Sequence, residues 1–80
     1  MAGMNWTDWT DTFLLALDLS GVKVGTSFSL EQAYFLEPIL KKIYPKNSHI
    51  RAKIRQQLQV LRDHDCVVFL DDQGHYQRVK

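Results

Sequence analysis

Hydrophobic residues recur every three or four positions near the start of the chain, in the run NWTDWTDTFLLALDLSG. This spacing puts them on one face of a helix, which we expect to pack into the core. Asn5, followed three residues later by Asp8, is a candidate cap for the start of the helix, and Gly21 is a candidate for its end. The expected core face consists of Trp6, Trp9, Phe13 and Leu17.

A second helical pattern, which we predict spans residues 48–63, separates a hydrophobic face from a polar one. At about 100° per residue, the hydrophobic face covers about a quarter of the helix circumference. Asn47 or Ser48 can cap the start of this helix after a turn at Pro45. The hydrophobic face consists of Ile50, Ile54, Leu58 and Leu61. The opposite face carries Ala52, Arg55, Gln56 and Gln59, flanked by Arg51, Lys53 and Arg62.

Shorter signals lie between these two helices. Residues 27–29 can form one brief strand, and Ser29 with Gln32 has the spacing of a capping box at the start of a further helix. Pro38 is disfavoured inside a helix but fits its first turn, which predicts two short helical segments that meet at a bend near Glu37. The expected core residues of these segments are Tyr34, Phe35, Ile39, Leu40 and Ile43.

Two apolar or aromatic runs, CVVFL and HYQRV, flank the loop DDQG near the end of the chain. Gly74 can supply a positive φ in this loop, so the pattern predicts a β-hairpin. The order of helix, short strand, two short helices, basic helix and hairpin is that of an α+β winged helix-turn-helix. The chain has 80 residues, and we expect residues 1–80 to form a single winged-helix domain.

The net charge of +1 conceals an asymmetry along the chain. Residues 41–62 hold seven Lys or Arg and no Asp or Glu, whereas residues 1–40 hold five acids and one base. A positive stripe on a nearly neutral protein indicates an anionic partner. An α-helix fits the major groove of DNA, where Arg can bridge the acceptors of guanine and Gln can bridge adenine. The basic, amide-rich helix therefore predicts a contact with double-stranded DNA.

The sequence offers few candidates for other kinds of chemistry. His49, His64, His75 and Cys66 do not fall at zinc-ligand spacings, and no Gly-rich phosphate loop or nucleophile motif is present. We expect no metal, no cofactor and no catalytic residue. The apolar runs are too short to span a bilayer, and the first residues lack the pattern of a signal peptide. The single cysteine, Cys66, fits a reducing compartment and a buried, structural position.

Residues 44–79, YPKNSHIRAKIRQQLQVLRDHDCVVFLDDQGHYQRV, closely resemble the C-terminal winged-helix domain of DpnI-type, methyl-directed restriction endonucleases and the related Dam-replacing proteins. The most specific part is KIRQQLQVLRD with the preceding YPKN, and FSLEQAY resembles the start of the same domain's second helix. In that family a nuclease domain precedes the winged helix, and both parts read a GATC-like duplex that carries N6-methyladenine. The resemblance implies a DNA-reading role without the cleavage, in a bacterial or archaeal cytoplasm.

The resemblance also implies which residues contact DNA. Because an N6-methyl group replaces the hydrogen that a bidentate Gln needs, the small Ala52 is our candidate for accommodating that methyl group. The implied base contacts are His49, Arg51, Ala52, Arg55, Gln56 and Gln59. Expected phosphate contacts are Lys42, Lys46, Asn47, Ser48 and Lys53 near the helix, with Gln73, His75 and Arg78 on the wing.

The chain departs from the family pattern in two places. Asp71 and Asp72 occupy the wing tip, where family members usually carry basic residues or glycine, and Asp65 follows the basic helix where they tend to have Gly. Three alternatives stay open: a transcriptional regulator that reads unmethylated DNA, a winged helix used for protein–protein contact, and an enzyme whose site is completed on oligomerisation. The sequence does not determine the oligomeric state.

Overall fold

The computed structural model describes residues 4–80, which form four helices and a three-stranded antiparallel sheet. The strand order is β1-β3-β2, so the C-terminal hairpin is completed by the short strand that precedes the helix-turn-helix. This is the predicted α+β winged helix-turn-helix. No helix in this range is long and apolar enough to cross a bilayer. The elements are α1 (Asp8–Leu19), β1 (Ser27–Ser29), α2 (Leu30–Tyr34), α3 (Glu37–Ile43), α4 (Ile50–Asp63), β2 (Val67–Phe69) and β3 (His75–Arg78).

The core lies where α1, α2 and α3 pack around α4 and one face of the sheet closes over its end. Tyr76 of β3 stands opposite Phe28 of β1 and Phe69 of β2, with ring centroids 5.4 and 4.9 Å apart. The predicted inner face of α4 is fully buried, and Phe13 and Leu17 of α1 are buried as predicted. The core consists of Phe13, Ala16, Leu17, Phe28, Ala33, Leu36, Leu40, Ile50, Ile54, Leu58, Leu61, Val67 and Tyr76.

Four residues predicted for the core are exposed instead. Phe35 is 78 % exposed because it lies in the turn between α2 and α3, where Leu36 takes the inward position. In α3, Ile39 and Ile43 lie outside the core because only Leu40 of this short helix is buried. Trp6 precedes α1, and its indole N–H donates to Asp11 at 2.7 Å rather than entering the core. Trp9, Tyr34 and Cys66 are half-buried against the core.

The starts of α1 and α4 also differ from the prediction. The N-cap of α1 is Thr7, whose N–H donates to Thr10 Oγ1 at 3.1 Å, so the predicted cap at Asn5 is wrong. The N-cap of α4 is His49, and Asn47 Oδ1 accepts a hydrogen bond from the His49 N–H at 2.7 Å. Asn47 thus stabilises the turn before the cap and is not the cap itself. The regular helix is Ile50–Asp63 and not 48–63.

The predicted local signals around α2 and α3 are confirmed. The Ser29 hydroxyl accepts from the Gln32 N–H at 3.1 Å, and the Gln32 side chain accepts from the Ser29 N–H at 2.8 Å, which is a complete capping box. The chain bends between Tyr34 and Glu37, and Pro38 lies in the first turn of α3.

The two long helices end in the same motif. Gly21 follows α1 with a φ of 93°, and Asp65 follows α4 with a φ of 61°. The next residue in each case donates its N–H to the carbonyl five residues earlier. Val22 donates to Leu17 at 2.9 Å, and Cys66 donates to Leu61 at 2.8 Å. Gly21 therefore ends α1 as predicted. Asp65 holds a left-handed conformation that glycine adopts more readily.

Candidate nucleic-acid interface

The exposed face of α4 forms the floor of an open concavity of about 670 Å³. Residues on this face are one helical turn apart, so their side chains project in the same direction away from the buried face. Among the residues that the structure describes, no carboxylate lines the concavity. Its lining residues are Met4, Asn47, His49, Ala52, Lys53, Arg55, Gln56 and Gln59. Five of the six expected base-contact residues therefore share one surface, as do two of the expected phosphate contacts.

Arg51, the sixth expected base contact, lies on the side of α4 that faces α2 and α3. Its Nε donates to Glu37 Oε1 at 3.0 Å, and its guanidinium carbon lies 4.9 Å from the centre of the Tyr34 ring. The side chain is 64 % exposed. The ion pair and the ring thus fix the plane of the guanidinium group, while the group stays at the surface.

Basic and polar side chains surround the start of α4. Lys41 Nζ donates to the backbone carbonyl of Asn47 at 2.7 Å, which ties α3 to the turn. Lys42, Lys46 and Ser48 are exposed around this turn. The first turn of α4 contains no acid, so the positive end of the helix dipole is not neutralised there. The arrangement is suited to an anion such as a phosphate group.

The wing tip is held together by one of its two acids. Asp71 accepts hydrogen bonds from the N–H of Gln73 at 2.8 Å and of His75 at 3.3 Å, and from the His75 ring at 2.7 Å. The bond from the Gln73 N–H, followed by those from His75, lowers the pKa of the Asp71 carboxyl. Asp71 therefore has a structural role in the loop, although both it and Asp72 are exposed. Gln73 and His75 are exposed at the same tip.

The helix-turn-helix, the basic α4 and the adjacent hairpin are the parts of a winged DNA-binding domain. A family model described as the Dam-replacing HTH domain matches residues 8–78, from the first residue of α1 to the last residue of β3. The chain belongs to the Dam-replacing HTH domain family. The predicted resemblance is thus confirmed, and this Dam-replacing HTH domain is a helix-turn-helix DNA-binding module.

Arg78 of this Dam-replacing HTH domain cannot serve as the expected phosphate contact. It is only 5 % exposed, and its guanidinium group bonds to the Asp18 carboxylate, to the carbonyl of Val22 at 2.8 Å and to that of Lys80 at 2.9 Å. The prediction for Arg78 is therefore wrong. The alternation in HYQR contained the signal for this, because a residue two positions after the inward-facing Tyr76 points to the same face of the sheet.

Gln57 also differs from its neighbours. The sequence shows three glutamines between residues 56 and 59, but Gln57 is only 2 % exposed and accepts a hydrogen bond from Thr10 Oγ1 at 2.6 Å. Its position, three residues after Ile54 and four before Leu61, puts it on the buried face of α4. Gln57 thus fixes α4 against α1, while Gln56 and Gln59 face the concavity.

The concavity also contains a residue that the sequence patterns do not indicate. Met4 lies before α1, but its N–H donates to Asp63 Oδ2 and its carbonyl contacts His64 Nε2, both at 3.0 Å. The Met4 N–H is the main cause of the lowered pKa of the Asp63 carboxyl. Helix periodicity could not reveal this contact, because Met4 belongs to no regular element and its partners lie about sixty residues away.

Proposed function

We propose that this domain binds double-stranded DNA by inserting the exposed face of α4 into the major groove, and that it reads adenine methylated at N6. The observation that supports this most directly is the concavity in which the exposed arginine, glutamines and alanine of α4 converge, with no carboxylate among its described lining residues. We further propose that it acts as the reader module of a methyl-directed restriction endonuclease. The proposed base contacts are His49, Arg51, Ala52, Arg55, Gln56 and Gln59.

The side chains in the concavity suit different base edges. Arg55 can donate to both acceptors of guanine, and Gln56 and Gln59 can bond with adenine or with the flanking pairs. Ala52 is the smallest side chain on this face, so a methyl group that projects into the groove has room beside it. A methylated adenine would therefore lose one polar hydrogen bond and gain an apolar contact.

The phosphate contacts would lie on both sides of the inserted helix. Each phosphate that the protein neutralises adds about 0.9 to the slope of log affinity against log salt concentration. The acidic Asp72 reduces what the wing can add, so we expect most of this slope to come from the lysines near α4. The proposed contacts are Lys42, Lys46, Asn47, Ser48 and Lys53, with Gln73 and His75 on the wing.

The test is a titration of a labelled GATC duplex, methylated or unmethylated at adenine N6, at two salt concentrations. We expect tighter binding to the methylated duplex and a marked loss of affinity with salt. Arg55→Ala should weaken binding about 5- to 150-fold, the value of one bidentate base contact. Lys23→Ala, which removes the same charge from an exposed side chain between α1 and β1, is the matched control.

A weak salt dependence together with unchanged affinity of the Arg55→Ala variant would refute the proposed interface. Equal affinity for both duplexes would refute methyl reading, and tighter binding to the unmethylated duplex would indicate a regulator that reads unmethylated DNA. Ala52→Gln tests the methyl contact separately, because it should reduce the preference for methylated DNA more than the overall affinity. If the ratio of the two affinities stays the same in this variant, Ala52 is not the residue that discriminates.

A further inference from the structure

The segment before α1 is fixed alongside α4 by contacts with the end of that helix. Both backbone groups of Met4 are engaged, one by the Asp63 carboxylate and the other by the His64 ring, at 3.0 Å each. The Trp6 ring meets the His64 ring edge to face, with centroids 5.4 Å apart, and its indole N–H bonds to Asp11. These contacts leave the Met4 side chain as the part of the residue that can meet a ligand.

The Met4 side chain lies at the edge of the concavity on α4. It is half-buried, and it lines both that concavity and a neighbouring one of about 330 Å³ beside Gln56 and Val60. Among the eight lining residues of the larger concavity, Met4 and Ala52 are the two apolar ones. Within the described residues, a surface that is otherwise polar thus contains two apolar side chains.

Apolar side chains in a DNA-reading surface imply a particular ligand chemistry. The apolar features that bases present in the major groove are methyl groups, either the C5-methyl group of thymine or an N6-methyl group on adenine. A thioether side chain is flexible and polarizable, so it adapts to such a group. We propose that Met4, positioned by Asp63 and His64, contacts a base methyl group in the concavity that it lines together with Ala52. This inference rests on the proposed DNA-reading role of α4.

The proposal adds a specificity element that lies outside the family match, which begins at residue 8. It also gives the Asp63 and His64 contacts a function, because they hold the backbone of Met4 at the edge of the reading surface. His64 acts here as a positioning residue and does not itself touch DNA.

The experiment uses the full chain and the Met4→Gln variant, in which a polar side chain of similar length replaces the thioether. Each protein is titrated with duplexes that contain adenine or N6-methyladenine, and thymine or uracil, which lacks the C5-methyl group. The ratio of affinities for the methyl-bearing and methyl-free duplex is the readout. Met4→Gln should reduce one of these ratios about fourfold, the value of burying a single methyl group. The ratio that falls identifies the base that carries the methyl group.

Leu19→Gln is the matched control, because Leu19 is 75 % exposed on α1 and does not line the concavity. His64→Ala tests the positioning role and should reduce the same ratio as Met4→Gln, with an unchanged helical circular-dichroism spectrum. If the unaltered chain binds duplex DNA but neither ratio changes in Met4→Gln, the methyl contact is refuted while DNA reading stands. If the unaltered chain binds no duplex, the proposed function itself is refuted.

Discussion

The same substitution to alanine, made at the adjacent Gln56 or Gln57, separates effects on stability from effects on DNA binding. Gln57 is 2 % exposed, and its amide accepts a 2.6 Å hydrogen bond from Thr10, which is 0 % exposed. Gln57→Ala removes this acceptor, so the buried Thr10 O–H loses its partner while the Thr10 oxygen still accepts from the Thr7 N–H. Gln56→Ala removes the same atoms from an exposed position in the concavity.

The expected cost of Gln57→Ala follows from this burial. Leaving a buried hydroxyl without its partner costs about 1–3 kcal/mol, and the lost packing of the side chain adds to this. A domain of this size has a free energy of unfolding of about 4–12 kcal/mol. We therefore expect Gln57→Ala to lower this free energy by about 2–3 kcal/mol and to lower the Tm by about 10–20 °C. Gln56→Ala should change stability by no more than about 0.5 kcal/mol.

Urea unfolding followed by tryptophan fluorescence measures the change in the free energy of unfolding. If only stability has changed, the slope of this free energy against urea concentration stays the same. Duplex titration at a temperature where both variants are folded measures the change in affinity for DNA. Gln57→Ala should bind DNA as the unaltered chain does, whereas Gln56→Ala should bind it more weakly. In a Thr10→Val background, Gln57→Ala should cost about 1 kcal/mol less, because the hydrogen bond is already absent.

The reasoning is refuted if the two glutamine variants are equally stable, or if Gln57→Ala impairs DNA binding as much as Gln56→Ala does. Equal stability would mean that the buried contact between α1 and α4 through Thr10 does not stabilise the fold. An equal loss of binding would mean that Gln57 is not a purely structural residue and affects DNA binding as well.

Three further predictions concern stability. Gly74→Ala should lower the free energy of unfolding by about 1–3 kcal/mol more than Gly25→Ala, because both glycines have a positive φ but only a Cβ at Gly74 lies 3.1 Å from Leu30 Cβ; equal costs in urea unfolding would contradict this. Asp65→Gly should raise the free energy of unfolding by up to about 1 kcal/mol, and with it the Tm, because glycine adopts a φ of 61° without strain. A lower Tm would show that Asp65 is not strained. The pKa of Asp18 is lowered, chiefly by the hydrogen bond from the buried Arg78. The Asp18 carboxylate therefore stabilises the fold fully above its ordinary pKa of 3.8, and this stabilisation is lost as the pH falls through the lower pKa of the folded state. Asp18→Asn should therefore flatten the loss of stability in an acid titration, and an unchanged profile would exclude this pair as a cause.

The sequence by itself determined the features that depend on neighbouring residues. The periodicity of α4 predicts which side is buried, and the structure buries Ile50, Ile54 and Leu58 on that side. The capping box at Ser29 and the end of α1 at Gly21 follow from local backbone hydrogen bonds, and both are found as predicted. These features could be predicted because their partners lie within one or two turns along the chain.

Only the tertiary structure decided how residues distant in sequence share the surface. Phe35 and Ile43 have the spacing and size of core residues, but Leu36 and Leu40 take the buried positions in this part of the chain. Arg78 is drawn to Asp18, sixty residues away, because a buried guanidinium group on the inner face of the sheet needs hydrogen-bond acceptors.

The candidate interface shows the same division. The composition and helical phase of α4 predicted which side chains face outward, and that set includes Ala52, Arg55 and Gln56. The pairing of Arg51 with Glu37 and the position of Met4 beside the reading face depend on where other elements pack. Local sequence fixes the phase of a helix because its period is regular, whereas the neighbours of that helix are set by the packing of the whole chain.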